Sequence, residues 1–265
     1  MSSSSTHAFR PCLVLPSYNN AGTVAGVVER SLGLGLPVYV VDDGSTDRTG
    51  EVLAAFRGRP GFTLLTHPVN RGKAAAMQTA FAAAAADGLT HALTLDTDGQ
   101  LDPAQAPTML EASERHPTAL VLGVRERQIK NYPIGGRIGR KLTNLLIRLE
   151  CGVRVQDSQC GMRVYPLAMI AALPVWSGRY DFETEIITRA GWARTPIVEV
   201  PISCSYPHPS ERISHYRPWI DTARAVVLHM GLLLRRLVPL PHPQWPGRDQ
   251  AEDVAVSPVG VAAAK

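Results

Sequence analysis

Several things are missing from this chain, and each absence removes a class of protein. No apolar run reaches the ~18–20 residues that a membrane-spanning helix needs. The opening stretch, Met1 to Arg10, is polar and carries no apolar signal core. Both point to a protein made and kept in the cytosol. The four cysteines, Cys12, Cys151, Cys160 and Cys204, form no CxxC pair. A zinc knuckle and a redox motif are therefore not indicated, and the thiols read as reduced, small hydrophobic side chains. Lysine and arginine form no block of the nucleic-acid-binding type but stand singly or in pairs. Nucleic acid is set aside as a partner on that ground. Aromatic residues make up only 6% of the chain, so alanine does much of the filling. No internal repeat is visible.

What is present is consistent with an enzyme built around one sheet. Hydrophobic residues account for 45% of the 265 positions, enough for a sizeable core. A formal charge of +4 and a pI near 9.0 suit an anionic partner, either a phosphorylated substrate or a membrane surface. Through the first half two periodicities alternate. Apolar runs at Cys12–Leu15, Val38–Val41, Phe62–Leu65, Ala92–Leu95 and Leu120–Val124 read as buried strands. Between them, Thr23–Leu32, Asp47–Phe56, Lys73–Ala86 and Pro103–Arg115 have helical spacing. Strands alternating with helices of this length demand crossovers. The fold class is α/β, with a mainly parallel sheet and helices on both faces. Beyond residue 125 the pattern loosens. Gly135–Glu150 reads as an amphipathic helix, Met162–Tyr165 as a short strand, Phe182–Ala190 as a helix, Ile197–Tyr206 as extended chain and Pro218–Leu237 as a long helix.

In such sheets ligands sit beyond the carboxyl ends of the strands. Four successive strand ends here deliver Ser17-Tyr18-Asn19, Asp42-Asp43, Asn70-Arg71-Gly72-Lys73 and Asp96-Thr97-Asp98 to one rim. Asp96 and Asp98, followed by Gly99 and Gln100, can share a divalent ion held by oxygen, Mg2+ or Mn2+, bridging a diphosphate. A solvated turn produces the same pattern, but not usually after a fully apolar strand within such a series. Asp42 and Asp43 can accept hydrogen bonds from a base or ribose, or Asp43-Gly44-Ser45 simply turns the chain, with Ser45 or Thr46 capping the next helix. Asn70 to Lys73 place cations and free N–H groups at a helix start, which suits a diphosphate; the plain alternative is a turn with a solvated lysine.

Taken together, Pro16-Ser17-Tyr18-Asn19, Val41-Asp42-Asp43-Gly44-Ser45-Thr46-Asp47, Asn70-Arg71-Gly72-Lys73 and Asp96-Thr97-Asp98-Gly99-Gln100 resemble the family 2 glycosyltransferases of GT-A fold. More closely, the chain is similar to their dolichyl/polyprenyl-phosphate mannose synthase-like branch, from about Pro11 to about Leu237. The resemblance implies that Pro16, Tyr18, Asp42 and Asp43 frame the nucleoside of a UDP- or GDP-sugar. It implies that Asp96 and Asp98 contact ribose and metal–diphosphate, and that Gln100 completes the metal shell. Arg125, Arg137 and Arg212 match arginines near the donor and acceptor phosphates, with Ser214 beside Arg212 on the acceptor side. Asp157 to Arg163 resembles the D-x-x-x-G-[FM]-R segment at the sugar pocket, and Glu183 and Glu185 resemble a later acidic helix. Where the synthases carry R-x-x-G-x-S-K, this chain reads Glu211-Arg212-Ile213-Ser214-His215-Tyr216-Arg217-Pro218, and Asn20 stands where many relatives have glutamate.

These parts define an expected chemistry. A phosphate monoester, with a second pKa of about 6, arrives ionised and needs no general base. Arginines suffice to dock it. Direct displacement then inverts the anomeric carbon, while the metal and Lys73 steady the departing diphosphate. Catalysis is expected from Asp98, Lys73, Arg125 and Arg212; Asp157 is expected on the nucleotide-sugar. Two alternatives stay open: transfer to a hydroxyl, for which Asp157, Glu183 and Glu185 are the base candidates, and a non-catalytic nucleotide-sugar-binding subunit. A nucleotidyltransferase lacks support, because its Gly-rich N-terminal loop is missing. The expected organisation is a disordered 1–10, a GT-A domain over 11–217, an amphipathic helix over 218–238 and a mobile tail over 239–265. That helix either lies on a membrane surface or packs on the domain or in a homodimer. A peripheral position at the cytoplasmic face of the inner membrane fits a lipid phosphate acceptor.

Overall fold

The structure is a computed structural model that describes residues 9–126, 134–177, 181–205, 218–238 and Trp245. Strands β1 (Pro11–Ser17), β2 (Val38–Asp42), β3 (Phe62–Thr66), β4 (His91–Thr94), β5 (Leu120–Arg125), β6 (Arg163–Pro166) and β7 (Ile197–Ile202) form one sheet in the order β3-β2-β1-β4-β6-β5-β7. β1 pairs in parallel with β2 and β4, β2 with β3, and β5 with β7. Only β6 runs against its neighbours, β4 and β5. The expected mainly parallel α/β sheet is therefore what the chain builds.

The first strands read as unbroken apolar runs because both faces of the sheet are covered. Alternation is present but serves two cores. Cys12 and Val14 of β1, with Tyr39 and Val41 of β2, face one cluster that includes Met77, Phe81, Phe182 and Ile186. Leu13 and Leu15, with Val38 and Val40, face a second cluster that includes Val24, Leu53 and Met109. Helices α1 (Val24–Leu32), α2 (Thr49–Ala54) and α4 (Ala106–Arg115) supply the second cluster. Helices α3 (Lys73–Ala86), α5 (Ile134–Cys151) and α7 (Phe182–Trp192) supply the first. In α3 the buried side is largely alanine: Ala74, Ala76, Ala80 and Ala84. Alanine has the highest helix propensity, and its small side chain lets the helix lie close to β1 and β2.

Several local boundaries differ from the sequence reading. The helix expected over Pro103–Arg115 opens as a 3-10 turn, Pro103–Gln105, capped by Asp102, before α4 begins. Neither Ser45 nor Thr46 caps α2. Ser45 Oγ instead accepts from Asn19 N at 3.0 Å, and Asp47 Oδ1 takes the first helical N–H, that of Thr49, at 2.9 Å. The extended segment stops as a strand at Ile202, and Tyr206 lies outside the described residues. A short helix not anticipated, α6 (Leu167–Ala172), follows Pro166, whose fixed φ suits a helix entry.

The C-terminal helix α8 (Pro218–Leu237) packs on the domain through one side. His229 Nδ1 meets Glu150 Oε1 of α5 at 2.5 Å, and both side chains are buried. Glu150 Oε2 also accepts from Thr188 Oγ1 of α7 at 2.8 Å, so one carboxylate ties three helices together. Leu232 is wholly buried. Among the described residues, no helix is long and apolar enough to cross a membrane. The expectations for residues 1–8 and, apart from Trp245, for the tail from 239 onward lie outside the described residues.

Candidate active site

The carboxyl ends of β1 to β4 form the rim foreseen from sequence, and a lattice of hydrogen bonds fixes it. Asn19, in the left-handed region at φ 53, turns the chain after β1; asparagine tolerates that conformation. Its Oδ1 accepts from Thr46 N at 2.8 Å, joining the first loop to the second. Gly44 has φ 68, and a Cβ there would come within 2.3 Å of the Val69 carbonyl carbon. No other residue can turn the chain in that space. Pro16 is buried at the end of β1 and Tyr18 half-buried just past it. Asp42 is buried, with Oδ1 accepting from Ser45 N at 3.0 Å.

Asp43 is almost fully committed to the fold. Its Oδ1 meets His67 Nδ1 at 2.6 Å and accepts from Arg71 N at 2.9 Å; its Oδ2 accepts from Gly72 N at 2.7 Å. One carboxylate thereby shapes the turn that launches α3 and delivers Lys73. His67 Nε2 in turn meets Thr79 Oγ1 of α3 at 3.0 Å. Nothing in the sequence marks His67, a lone histidine after a strand with no partner at a telling spacing. Its importance lies in clamping β2, β3 and α3 around Asp43.

The Asp96–Asp98 pair stands on an equally fixed base. Thr97 between them is buried. Its Oγ1 accepts from Asn20 Nδ2 at 2.9 Å, and its carbonyl accepts from Thr23 Oγ1 at 2.6 Å. With the middle residue held inward, the two flanking side chains are directed to the rim. Asp98 Oδ1 accepts from Gln100 N at 3.0 Å, and the Gln100 carbonyl accepts from Ser205 N at 2.9 Å. Burial, and then the negative charge of Asp96, push the Asp98 carboxyl up to about 6. A backbone passes close to Asp96 on the other side: a Cβ on Gly161 would sit 2.1 Å from Asp96 Oδ2. A side chain there would displace the Asp96 carboxylate from its present position.

Lys73 is the hub of the rim. Its Nζ lies 2.5 Å from Asp96 Oδ1 and 3.0 Å from Glu183 Oε1 of α7, with 12% of the side chain exposed. Burial works against its charge, but the attraction of Asp96 and Glu183 outweighs it and raises the ammonium pKa. Lys73 is thus a fixed cation pointed at the aspartate pair. Two close carboxylates, one desolvated enough to resist ionisation, leave an excess of negative potential that a hard, oxygen-loving cation relieves. The donor set therefore fits Mg2+ or Mn2+. Among the described residues no group of three or more His, Cys, Asp or Glu is placed to hold a metal ion by itself. Two carboxylates with further positions left to ligand oxygens is a usual arrangement for magnesium.

On the far side of the rim the charges are paired with one another. Asp157 is wholly buried. Arg125 grips it with Nε at 2.7 Å and Nη2 at 2.9 Å, and Arg140 of α5 adds Nη1 at 3.3 Å. Burial opposes ionisation of Asp157, but the Arg125 and Arg140 charges hold its carboxyl below the usual range. Arg163 has no exposed surface, and it donates to the carbonyls of Cys160, Glu183 and Ser158 at 2.8, 2.5 and 2.7 Å. It fixes the loop that brings Gly161 against Asp96. Glu185 accepts from Trp176 N, Ser177 N and Arg189 Nε. Of the three base candidates, Asp157 and Glu185 are fully buried and ion-paired, and Glu183 holds Lys73. Arg137 stands exposed in the first turn of α5. Arg212 and Ser214 lie outside the described residues.

Comparison with known proteins agrees with the fold. The model of the family "Glycosyl transferase family 2" matches residues 12–171. An uncharacterized protein of Methanocaldococcus jannaschii is 28% identical over 200 residues, covering 73% of this chain and 81% of its own length. The undecaprenyl-phosphate 4-deoxy-4-formamido-L-arabinose transferase of Edwardsiella ictaluri is 28% identical over 198 residues, 72% of this chain and 58% of that protein. The dodecaprenyl-phosphate galacturonate synthase of Rhizobium johnstonii is 30% identical over 178 residues, 64% of this chain and 52% of that protein. The chain thus spans little more than half the length of these two transferases. In fold, it is similar to the glucosyl-3-phosphoglycerate synthase of Mycobacterium tuberculosis, solved with Mn2+, UDP and glucosyl-3-phosphoglycerate. The TM-score is 0.63 at 21% identity, over 86% of this chain and 80% of that one.

Proposed function

The chain belongs to glycosyl transferase family 2, and from that premise we propose that it moves a sugar from a UDP- or GDP-sugar to a polyprenyl phosphate, inverting the anomeric carbon. The observation that carries the acceptor class is the state of the carboxylates. Asp157, Glu183 and Glu185, the candidates for deprotonating a hydroxyl, are each bound to a cation of the protein itself. A site without a spare base suits a nucleophile that arrives ionised, as a phosphate monoester does with its second pKa at about 6. The relatives named for undecaprenyl- and dodecaprenyl-phosphate support the same acceptor.

Pro16, Tyr18, Asp42 and Asp43 frame the nucleoside, Asp43 doing so while it holds the Arg71–Gly72 turn. Asp96 and Asp98 hold a divalent cation, Mg2+ or Mn2+, with Gln100 beside them; when bound, it neutralises charge on the diphosphate leaving group. The solved synthase of the same fold pairs Mn2+ with UDP, the combination proposed for this rim. Lys73 adds a second positive charge on the leaving-group side, already oriented by Asp96 and Glu183. Arg137, Arg212 and Ser214 receive the acceptor phosphate. Arg125, braced by Asp157, presents a fixed positive field to the same region. An acceptor oxygen then bonds to the anomeric carbon as the bond from that carbon to the diphosphate breaks. The nucleoside diphosphate leaves, and no proton need be taken from the acceptor. The protein works peripherally at the cytoplasmic face of the inner membrane, where such lipids are met.

The test is product analysis. Incubation with manganese, a panel of nucleotide sugars and either a polyprenyl phosphate or the matching free polyprenol is expected to glycosylate only the phosphate. Transfer to the free polyprenol at a comparable rate would overturn the acceptor assignment.

A further inference from the structure

Asp96 has two cations competing for it. The fold pairs it with the ammonium of Lys73, and the proposed function gives it a divalent ion. Lys73 Nζ lies 2.5 Å from Asp96 Oδ1. The other oxygen, Oδ2, turns to Gly161, so near that a Cβ there would stand 2.1 Å away. The Gly161 segment is held in place. Its carbonyl accepts from Thr94 Oγ1 of β4 at 2.8 Å, and Arg163 donates to the carbonyls of Ser158 and Cys160 just before it. Lys73 is the opposite kind of neighbour, a compact charge on a flexible four-carbon stem with three rotatable donors. Of the two groups against Asp96, the lysine is the one that can move.

A second place for that ammonium lies at the end of its own helix. Lys73 is the first residue of α3, and no side chain caps this end. First-turn N–H groups of such a helix turn toward an incoming anion. A diphosphate drawn there brings its oxygen atoms to the same ammonium. Glu183 Oε1, 3.0 Å from Nζ, supplies a fixed point between the two places. It reaches the lysine from α7 rather than from the loop that carries Asp96. Its backbone is pinned as well, because Arg163 Nη1 donates to the Glu183 carbonyl. The ammonium can therefore swing between two anions without losing its third partner.

We propose that Lys73 is a placeholder cation, holding Asp96 until the diphosphate of the donor draws the ammonium off and leaves Oδ1 to the metal. The inference rests on the reading of the rim as a site for a metal and a nucleoside diphosphate. Asp96 keeps a positive partner throughout the exchange. Each ligand also prepares the site for the other: the metal sends the ammonium toward the diphosphate, and the diphosphate clears the carboxylate for the metal. The two therefore bind with a coupling carried by the protein, beyond their direct contact with each other, and equal in either order of addition. After transfer the step runs backward, Lys73 returning to Asp96 as metal and nucleoside diphosphate depart.

Calorimetric titration of the full chain tests this without turnover. Mn2+ is added alone and at saturating UDP, with correction for the Mn2+–UDP complex in solution. Lys73→Met removes the placeholder. It is expected to bind Mn2+ alone about tenfold tighter than wild type, and most of that gain should vanish with UDP present, so the coupling falls about tenfold. Glu183→Gln keeps the lysine but leaves it to Asp96 alone. Mn2+ alone should then bind more weakly, and the coupling should rise. Opposite changes in the two variants are not the signature of a damaged fold, and Glu183→Gln carries the test should Lys73→Met fold poorly. A lysine that never leaves Asp96 predicts equal shifts with and without UDP, and hence unchanged coupling in both variants. That result would overturn the exchange, as would Lys73→Met binding Mn2+ alone no tighter than wild type. Unchanged coupling with UDP and manganese still bound together ends the exchange and spares the proposed function. Wild-type protein that binds neither UDP nor GDP in the presence of manganese ends both.

Discussion

The two halves of the rim are built on opposite principles. From β1 to β4, short loops leave each strand and place polar side chains within a few residues of a buried, parallel ladder. From β5 onward, the polar residues are arginines and carboxylates that neutralise one another in the interior: Arg125 with Asp157, Arg189 with Glu185, and Arg163 with three carbonyls. Lys73 and Glu183, 110 residues apart in sequence, join the halves. Asp96 and Asp98 share one ammonium, that of Lys73, while Arg125 and Arg140 share one carboxylate, that of Asp157, so the first half keeps an excess of negative charge and the second an excess of positive charge. A site for a nucleoside diphosphate and a phosphate needs both, because a cation must be attracted on one side and an anion on the other.

The comparison breaks most visibly if the second half is disturbed. Asp157→Asn leaves the buried Arg125 guanidinium without its counter-charge, at an expected cost of about 3–5 kcal/mol, read as a lower urea midpoint. The pH dependence follows from the depressed Asp157 pKa. Its stabilisation is complete above the ordinary carboxylate pKa of about 3.9 and is lost as pH falls through the lower folded-state value. Asp157→Asn should lack that acid limb, and a variant as stable as wild type at neutral pH would show that the pair is dispensable.

A change at Asp98, in the first half, should spare stability and cost chemistry. Asp98→Asn is expected to lower kcat about a hundredfold or more at saturating manganese, with the melting temperature kept. Near-normal turnover would remove Asp98 from the metal role. A milder change sharpens the division. His67→Phe cuts the bond that orients Asp43 and should raise the donor KM about tenfold, with a smaller effect on kcat. His67→Asn, which can still donate to Asp43, should recover much of the loss. Equal loss in both variants would count against a positioning role.

The same contrast explains what could be read from the chain alone. Asp42, Asp43, Lys73, Asp96 and Asp98 could be placed on one rim because each stands at a strand end, in the loop that leaves it or at the start of the next helix, and strand ends converge in a parallel sheet whatever the details of packing. The role of Thr97 as the inward anchor between two rim carboxylates was hidden, since its partners Asn20 and Thr23 lie more than 70 residues away. His67 gave no signal because its meaning depends on Asp43 and Thr79 at once. In the second half, nothing in the sequence announced that Arg163, at the end of the Asp157–Arg163 segment, is a buried staple on three carbonyls. Strand β6 read correctly as a strand, but nothing in Arg163–Pro166 announces that it runs antiparallel between β4 and β5. Helix α8 was read as either membrane-facing or packed. It packs through His229 and Leu232 and keeps a second apolar side outward, so one periodicity carried two faces.

Calorimetric titration of a bound sugar nucleotide, with manganese and after chelation, bears most directly on the central claim that Asp96 and Asp98 hold a cation for a diphosphate. The account predicts tight binding that depends on the metal and disappears in Asp96→Asn/Asp98→Asn. Affinity that is the same with manganese, with chelator and in the double variant would contradict it.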